Sequence, residues 1–434
     1  MKFSTLAISI FSVTTFGANA AINTPFEHTD NKDGTYTVTE NGLTVSDTDV
    51  TAHLWNPRGK SKEELAKRVA FLTEAYVPTR TPEQEARAAK AKAKYGDSVV
   101  INSVMPASIA PVLGMSEKHL KKGLDENREA GMTIVSPSLF NTTAIFKDTL
   151  PQVIKDTDKL LAKEGVQKAG TIADIRNLKA KGEMGVVYNT QGGDFVTPET
   201  MEEDVKFAQV SGIRIMNTSY NNDTLLGGGG ANPENNGLTE EGLRFVKYAN
   251  EQGIVLDCSH ASDQACIDTA KASKYPMVAS HSNAKAVYNH FRNLSDEAII
   301  AIGENGGAVC PTGTGGFLSE DGSATPEIFA EHLVHVADLI GKDKVCYSTD
   351  AVHNVSDFYQ MAMGMTDTYP PEKGLAAPIQ NLHAKHVWDV VAVLEDKYGW
   401  NVDEINGFLG ENLMRVYAAN WNKQEPASWW QFWK

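Results

Sequence analysis

Two histidines and one aspartate each end a short apolar run, and they are the first candidates for chemistry. His260 ends the run Gly-Ile-Val-Leu-Asp-Cys-Ser-His, His281 stands in Ser-His-Ser-Asn, and Asp350 ends Val-Cys-Tyr-Ser-Thr-Asp. Neutral imidazole is the commonest metal ligand, and a carboxylate can take the proton of an attacking water. One such histidine alone favours an ordinary hydrogen-bonded core role. Three residues at matched positions favour a catalytic metal site.

Short apolar runs alternate with helical patterns from Ser98 onward. The runs are Val99–Met105, Thr133–Leu139, Met184–Thr190, Gly212–Ser219, Gly253–Cys258, Pro276–Ser280, Gly307–Pro311 and Lys344–Ser348. The helical patterns include Glu117–Ala130, Pro198–Ser211, Thr239–Gln252, Ser262–Ser273, Ser295–Asn305 and Thr325–Ile340. Strands that alternate with helices form parallel sheets, and buried parallel strands have continuous apolar sequences.

Eight such units predict an α/β protein with a (β/α)8 TIM-type barrel. The alternative is an open doubly wound sheet, which would need a glycine-rich phosphate turn after the first strand. The stretch Asn-Ser-Val-Met-Pro that ends at Pro106 offers no such turn. In a barrel the carboxyl ends of all strands share one face, so we expect the site there. The residues at these ends include Gln191, Tyr220, His260, His281 and Asp350.

Residues 1–20 have the pattern of a secretory signal peptide. Lys2 is followed by the apolar run Leu6–Phe16, which is too short to span a bilayer, and by Ala18-Asn-Ala20. We expect cleavage after Ala20 and a soluble, exported, periplasmic protein. The remaining divisions are an N-terminal extension (21–97), the barrel (98–420) and a Trp-rich tail (421–434).

Within the extension we expect few strands and one helix that begins at Thr81-Pro-Glu, because Thr is a good N-cap and Pro suits the first helical position. The glycine run Gly227–Gly230 lacks the Lys and Ser/Thr of a phosphate loop. It predicts a surface loop or a lid over the site.

Charge and cysteine content exclude several classes of function. The 434 residues carry a formal net charge of -15, which argues against nucleic acid and anionic membranes as partners. The four cysteines form no Cys-x-x-Cys pair, so a cysteine-based zinc site is not expected. They fit either small buried apolar residues or one disulfide whose pairing the spacing does not reveal.

Four stretches follow one another in the order Gly237-Leu-Thr-Glu-Glu-Gly, Gly253-Ile-Val-Leu-Asp-Cys-Ser-His, Val278-Ala-Ser-His-Ser-Asn-Ala and His290-Phe-Arg-Asn-Leu-Ser-Asp. Together they resemble the membrane (renal) dipeptidases, a family of zinc metallopeptidases with a (β/α)8 barrel. The resemblance is strongest from Asn236 to Asp350 and weaker from about Asp97 to about Ala419.

The resemblance implies a role for each matching residue. His260 and His281 match two zinc-binding histidines, and Arg292 matches an arginine that contacts the substrate. A guanidinium suits a dipeptide's terminal carboxylate because it can bind bidentately. Asp350 matches the aspartate that handles the proton of the attacking water. Tyr220 stands where the family has a histidine that polarises the scissile carbonyl, and its hydroxyl could donate a hydrogen bond to an oxyanion.

Three positions depart from the family pattern. Val104 and Pro106 stand in the first strand where a His-x-Asp pair would bind the other zinc, and Gln191 falls near the metal-bridging glutamate. Without these anionic ligands a second ion should bind poorly, because two dications repel each other. We therefore expect one Zn²⁺, held by His260, His281 and either Gln191 or Asp350. Asp194 and His353 are further candidate replacement ligands.

These observations favour a zinc-dependent hydrolase that cleaves a dipeptide or a related small amide by metal-activated water. One alternative is a metal-poor member that binds a small peptide or metabolite without turnover. Another keeps the barrel but changes the substrate, as in a lactonase or deaminase. The expected partners are a dipeptide or other small molecule, with no nucleic acid and no membrane span. A homodimer is a hypothesis that the sequence leaves open.

Overall fold

The protein is represented by a computed structural model that describes residues 27–30, 36–40, 43–47, 61–107, 117–140, 149–193, 195–363 and 380–421. The expected signal peptide, its cleavage site after Ala20, Asp194 and the tail beyond Trp421 lie outside the described residues.

Parallel strands follow one another in chain order around a barrel. They are Ile101–Pro106, Ile134–Ser138, the pair Gly185–Val186 and Tyr188–Thr190, Ile213–Asn217, Val255–Asp257, Val278–Ala279 and Ala308–Val309. Residues 345–348 are the eighth strand, because Val345 and Ser348 form parallel bridges to Val309 and Thr312. The backbone N–H of Ser103 donates to the carbonyl of Tyr347 at 3.1 Å and so joins the eighth strand to the first. The predicted (β/α)8 barrel is confirmed.

The interior of the barrel is an apolar cluster to which every strand contributes. Its members include Ile101, Ile134, Val187, Ile215, Val255, Val278, Ala308 and Cys346, with Leu413, Tyr417 and Trp421. The last three belong to the helix Asn412–Trp421, and most of the strand residues lie early in their strands. This helix therefore covers the amino-terminal end of the barrel, and polar residues are left to the carboxyl end.

Helices surround the strands as the apolar spacing predicts. Between strands lie Glu117–Ala130, Leu150–Lys163, Ile172–Lys181, Met201–Val210, Glu240–Gln252, Asp263–Ala272, Asp296–Glu304, Gly315–Leu318 and Pro326–Ile340. The chain then continues with Val355–Met363, Val387–Tyr398, Val402–Asn406 and Asn412–Trp421. The N-caps Thr239, Ser262, Ser295 and Thr325 accept a backbone N–H from three residues ahead, which fixes where these helices begin. Among the described helices, none combines the length and the apolar character needed to cross a bilayer.

The N-terminal extension contains more strand than expected. Glu27–Asp30, Tyr36–Glu40 and Leu43–Asp47 form a three-stranded antiparallel sheet, followed by the helices Lys62–Ala75 and Pro82–Tyr95. Thr37 and Thr39 alternate with Tyr36 and Val38, and this period of two suits a strand. The second helix begins as predicted, because Thr81 and Gln84 form a capping box.

All four cysteines are paired, which corrects their interpretation as buried apolar residues with at most one disulfide. Cys258 bonds to Cys266, and Cys310 bonds to Cys346. The first bond ties the end of the fifth strand to the helix after His260. The second joins the seventh strand to the eighth. The first disulfide therefore lies beside the segment that carries His260, and the second lies in the apolar interior of the barrel.

Candidate active site

His260 and His281 meet at the carboxyl end of the barrel. They follow the adjacent fifth and sixth strands, whose Asp257 and Val278 are paired in register. Their ring centroids are 4.8 Å apart, and the residues are 5% and 0% exposed. The two imidazoles are therefore neighbours in a buried setting, as the sequence predicted.

A hydrogen-bonded chain orients the ring of His281. Its Nδ1 lies 2.7 Å from the hydroxyl of Ser280, and this hydroxyl donates to Oδ2 of Asp257. The other oxygen of Asp257 accepts the backbone N–H groups of Ser259 and Ser280 at 2.9 and 3.0 Å. Because the Ser280 proton is committed to the carboxylate, His281 must donate from Nδ1, which leaves the lone pair on its Nε2.

His260 is oriented in a similar way by different partners. Its Nδ1 lies 2.8 Å from the side-chain oxygen of Asn221, which is an acceptor, so Nδ1 carries the proton. Tyr220 stacks on the imidazole with a centroid separation of 4.0 Å. The stack places Tyr220 beside the histidine pair, in agreement with its predicted position at the site.

The two Nε2 atoms are the outstanding chemical feature of this pair. Both are buried and neither has a hydrogen-bond partner. Burial lowers the pKa of both imidazoles well below the usual value, and the positive charge of Arg292 adds to the effect. Neutral imidazoles with a fixed Nδ1–H and a free Nε2 lone pair are the form that binds a metal ion. This pair of side chains therefore fits zinc.

Arg292 supplies a buried cation close to the same residues. It is 3% exposed, and its Nε and Nη2 are buried without a hydrogen-bond partner. Its guanidinium carbon lies 5.2 Å from the ring centroid of Phe317. Burial lowers the pKa of the guanidinium, and the negative charge of Asp350 opposes this shift. A buried guanidinium with unused donors is costly unless a ligand pairs with it.

Asp350 lies at the end of the eighth strand with partial access to solvent. Its backbone N–H donates to the carbonyl of Val104 at 3.3 Å, and its own carbonyl accepts from the side chain of Asn381 at 3.3 Å. Desolvation raises the pKa of the Asp350 carboxyl to about 7, although the charge of Arg292 acts in the opposite direction. A carboxyl with this pKa can exchange protons near neutral pH, as a general base requires.

Backbone strain is concentrated in the same place. Within the described ranges, four residues other than glycine have positive φ, and three of them are Asn221, His260 and Asp350. Their φ angles are 60°, 74° and 49°. Such angles are uncommon for side-chain-bearing residues and persist where the surrounding structure requires them. Two of these residues, His260 and Asp350, have side chains that are candidates for chemistry, and the third, Asn221, orients His260.

The glycine run Gly227–Gly230 is packed against these residues instead of forming a lid. The backbone N–H of Gly230 donates to the carbonyl of His260 at 2.8 Å. A Cβ on Gly229 would lie 2.2 Å from the carbonyl oxygen of Asn221. Only glycine allows this close approach, so the run holds the backbone on both sides of the His260–Asn221 hydrogen bond.

Gln191 and Asp350 are the two sequence-predicted candidates for a third ligand. Gln191 is buried at the end of the third strand, where its Nε2 donates to the hydroxyl of Ser138 at 3.1 Å. Val104 is also buried, and it offers no ligand atom. Across the described residues, no further His, Cys, Asp or Glu places a ligand atom within 4.8 Å of those of both His260 and His281 to complete a group of three. Asp350 as an alternative ligand is therefore disfavoured, and it stays a candidate for proton transfer.

His353, considered from the sequence as a replacement ligand, belongs to another cluster. Its Nδ1 lies 2.8 Å from Oε2 of Glu126, and Nδ1 of His383 lies 2.7 Å from the same oxygen. Sequence reasoning missed Glu126 and His383, because Glu126 looks like any exposed acid on an amphipathic helix. It also missed the roles of Asn221 and Ser280, which depend on contacts between neighbouring strands.

Comparison with known proteins agrees with this site. The family model for membrane dipeptidases, peptidase family M19, matches residues 119–428. The chain belongs to this family. The prediction of a hydrolase of the membrane dipeptidase type is thereby confirmed at the level of the family.

Individual relatives are more distant. Rat (Rattus norvegicus) dipeptidase 3 is 28% identical over 183 residues, which are 42% of this chain and 33% of that protein. The chain thus matches about a third of the length of this relative. An amidohydrolase from Pseudomonas aeruginosa superposes with a TM-score of 0.64 at 23% identity, over 77% of this chain and 99% of the other. A metallopeptidase from Rhodobacter sphaeroides, solved with a phosphinate mimic of L-Ala-D-Ala, superposes with a TM-score of 0.57 at 19% identity, over 75% and 100%. These likenesses establish the shared fold.

Proposed function

We propose that the protein is an exported dipeptidase that uses one zinc ion. The observation that carries the proposal is the pair of buried, unpartnered Nε2 atoms on His260 and His281. An unpaired buried guanidinium and a carboxyl with a pKa of about 7 belong to the same end of the barrel. This combination suits hydrolysis of a small amide that carries a free carboxylate.

Each residue would have a distinct role. Zinc, held by His260, His281 and in our proposal Gln191, would polarise the scissile carbonyl and make a water more acidic. Asp350 would take the proton of the attacking water as the carbon–oxygen bond forms. It would then deliver that proton to the amine nitrogen as the carbon–nitrogen bond breaks.

Two further residues would bind the substrate and the transition state. Arg292 would hold the terminal carboxylate of the dipeptide with its unused N–H donors, because a guanidinium and a carboxylate match bidentately. The Tyr220 hydroxyl would donate a hydrogen bond to the oxyanion that develops on the carbonyl oxygen. The stack of Tyr220 on His260 would keep that hydroxyl close to the zinc ligand.

The proposed location is the periplasm. Supporting observations are the signal-like sequence that ends at Ala20 and the two disulfides, since disulfides persist in oxidising compartments. The expected mature chain begins at Ala21. N-terminal sequencing of protein recovered from the periplasmic fraction tests this start.

A second candidate function is binding of a small peptide without turnover. It is favoured by the first strand, where Val104 and Pro106 offer no ligand, and by the lack of a third His, Cys, Asp or Glu near the pair among the described residues. A site with two protein ligands would hold zinc weakly. The two functions differ in whether zinc stays bound to His260 and His281 during purification and in whether a peptide is cleaved.

The test is hydrolysis of L-Ala-L-Ala and L-Ala-D-Ala by the chain from Ala21, with and without added zinc. The matched variants are His281→Ala and, as a control away from the barrel mouth, His335→Ala, whose imidazole pairs with Asp296 at the surface. Zinc-dependent cleavage that is lost in His281→Ala and kept in His335→Ala supports the dipeptidase. Peptide binding with no cleavage at any zinc concentration would favour the second function.

A further inference from the structure

A second cluster of ligand-type side chains lies apart from the His260–His281 pair. Glu126, His353 and His383 each place one ligand atom within 4.8 Å of the others. They come from three separate segments: the helix Glu117–Ala130, the residues after Asp350, and the residues that precede the helix Val387–Tyr398. His353 and His383 are 2% and 5% exposed. We call these three residues the outer cluster.

The hydrogen bonds inside the outer cluster leave it incomplete. One oxygen of Glu126 accepts from Nδ1 of both histidines, at 2.8 and 2.7 Å. The Nε2 atoms of His353 and His383 are buried and have no partner. These nitrogens point away from Glu126, so an ion between the three side chains would be bound by the two Nδ1 atoms and Oε2 of Glu126, with the ring protons moved to Nε2.

Two histidines and one glutamate are a recurrent zinc-binding set that leaves a position for water. A zinc ion at about 2.0–2.1 Å from each ligand keeps neighbouring ligand atoms roughly 3.3 Å apart. The observed separations of 2.8 and 2.7 Å need to widen by about half an ångström, which side-chain rotation allows. We propose that Glu126, His353 and His383 form a second, non-catalytic zinc site.

The surroundings give the ion a way in. A cavity of about 490 Å³ is lined by Glu126 and His383 together with Lys92, Lys385 and Trp388. Lys122 is a cation close to the carboxylate, with its Nζ 3.6 Å from the oxygen that the histidines do not use. The Lys122 side chain is 59% exposed, so solvent screens its charge and it can swing away from an incoming ion.

The outer cluster is connected to the backbone that carries Asp350. His353 follows Asp350 by three residues, and the next residue, Asn354, donates its N–H to His119 at 2.8 Å. His383 lies two residues after Asn381, whose side chain donates to the carbonyl of Asp350 at 3.3 Å. An ion bound to both histidines would therefore tie together the two segments that hold Asp350. Its role would be to position Asp350, without contact with the substrate.

The test separates the two sites by removing His260 and His281. The double variant His260→Ala/His281→Ala is equilibrated with zinc, dialysed, and its zinc content measured per chain. Two further chains add Glu126→Gln or the control substitution His335→Ala to this background. We expect about one zinc per chain in the double variant and in the control, and a loss of most of it with Glu126→Gln. The expected result does not depend on catalysis, so it stands or fails separately from the dipeptidase proposal.

A second measurement covers the case in which the double variant folds poorly. In the otherwise unaltered chain, Glu126→Gln should reduce the zinc content by about one ion. Zinc should also slow amide hydrogen exchange of residues 350–354 in the unaltered chain but not in Glu126→Gln. Zinc content that is unchanged by Glu126→Gln, or a folded double variant that binds no zinc, would overturn the proposal.

Discussion

The mouth of the barrel, which is the site around His260 and His281, and the outer cluster both contain a pair of histidines, but the two pairs differ in their surroundings. At the mouth, His260 and His281 have fixed Nδ1 protons and free Nε2 atoms, and no described carboxylate completes a three-ligand group with them. In the outer cluster, His353 and His383 share one carboxylate oxygen of Glu126. The first arrangement is open to substrate chemistry and poor in ligands. The second has three protein ligands, and the hydrogen bonds and ion pairs of their side chains include no arginine among the described residues.

This difference shows why ligand number alone does not identify a catalytic centre. A reactive metal needs an open position, a proton acceptor and a group that orients the substrate. Asp350 and Arg292 provide the last two at the mouth only. A three-ligand set that lacks these two groups would instead stabilise the segments that it joins. Substitutions that separate reactivity from metal retention can therefore test the comparison.

The largest effect is expected from Asp350→Asn. Asn keeps the shape of the side chain but cannot accept a proton, so kcat for a dipeptide should fall about a hundred- to ten-thousand-fold. The zinc content should stay the same, since Asp350 is not one of the ligands we propose. In the unaltered enzyme, kcat/KM should rise with pH as the Asp350 carboxyl becomes ionised, at or below about pH 7 because bound zinc favours the carboxylate, and then level off. A rate that is unchanged in Asp350→Asn would remove the proton-transfer role.

Arg292→Ala should have the next largest effect, mainly on KM. Hydrogen bonds to charged groups contribute about 1.5–3 kcal/mol, so kcat/KM for a dipeptide should fall by roughly ten- to two-hundred-fold. The matched measurement uses the same dipeptide with an amidated C-terminus, which lacks the carboxylate. That substrate should be cleaved equally poorly by both proteins. An equal loss with the free and the amidated dipeptide would contradict a carboxylate-binding role.

Asp257→Asn tests the hydrogen-bonded chain that orients His281. An amide has only one oxygen, so it cannot accept both the backbone N–H and the hydroxyl of Ser280 as the two carboxylate oxygens do. The His281 ring then loses its fixed tautomer. Loss of a group that hydrogen-bonds to a metal ligand typically reduces metal affinity about ten- to a hundred-fold, and we expect a decrease of that size at the His260–His281 site. Zinc retention in the outer cluster should be unaffected. Equal weakening of both sites would mean that Asp257 acts only through overall stability.

Stability should change in the opposite direction from activity in Asp350→Asn. The Asp350 pKa is raised to about 7 from an ordinary value near 3.9, so the folded chain holds a proton that the unfolded chain has lost. The free energy of unfolding therefore falls as the pH rises from about 4 to 7. At pH 8 without zinc, Asp350→Asn should be more stable by roughly 1–3 kcal/mol, a range reduced for its partial exposure. Denaturant unfolding at pH 8 and pH 4 checks this, since the difference should vanish at pH 4.

The sequence revealed the mouth more completely than the outer cluster. The barrel follows from periodicity, because the strands lie in mostly apolar runs and several helices begin at a Ser or Thr N-cap, as at Thr239, Ser262, Ser295 and Thr325. His260, His281 and Asp350 were found because they end such runs. Glu126 and His383 carry no local signal, since the cluster exists only where a helix, a strand end and a later segment meet. The Asp257–Ser280–His281 chain was equally hidden, because its members lie on two strands whose register the sequence does not state.

The smallest effect on activity is expected from Tyr220→Phe. Phenylalanine keeps the stack on His260, which has a centroid separation of 4.0 Å, and removes only the hydroxyl. If that hydroxyl stabilises the oxyanion, kcat should fall by about ten- to a hundred-fold, at or below the usual range for one such donor, while KM and zinc content hold. Tyr220→Ala serves as the companion variant, because it also removes the stack and should lower zinc affinity at the mouth. A Tyr220→Phe enzyme with full kcat would leave Tyr220 as a support for His260, and the oxyanion would then have to be stabilised by zinc alone.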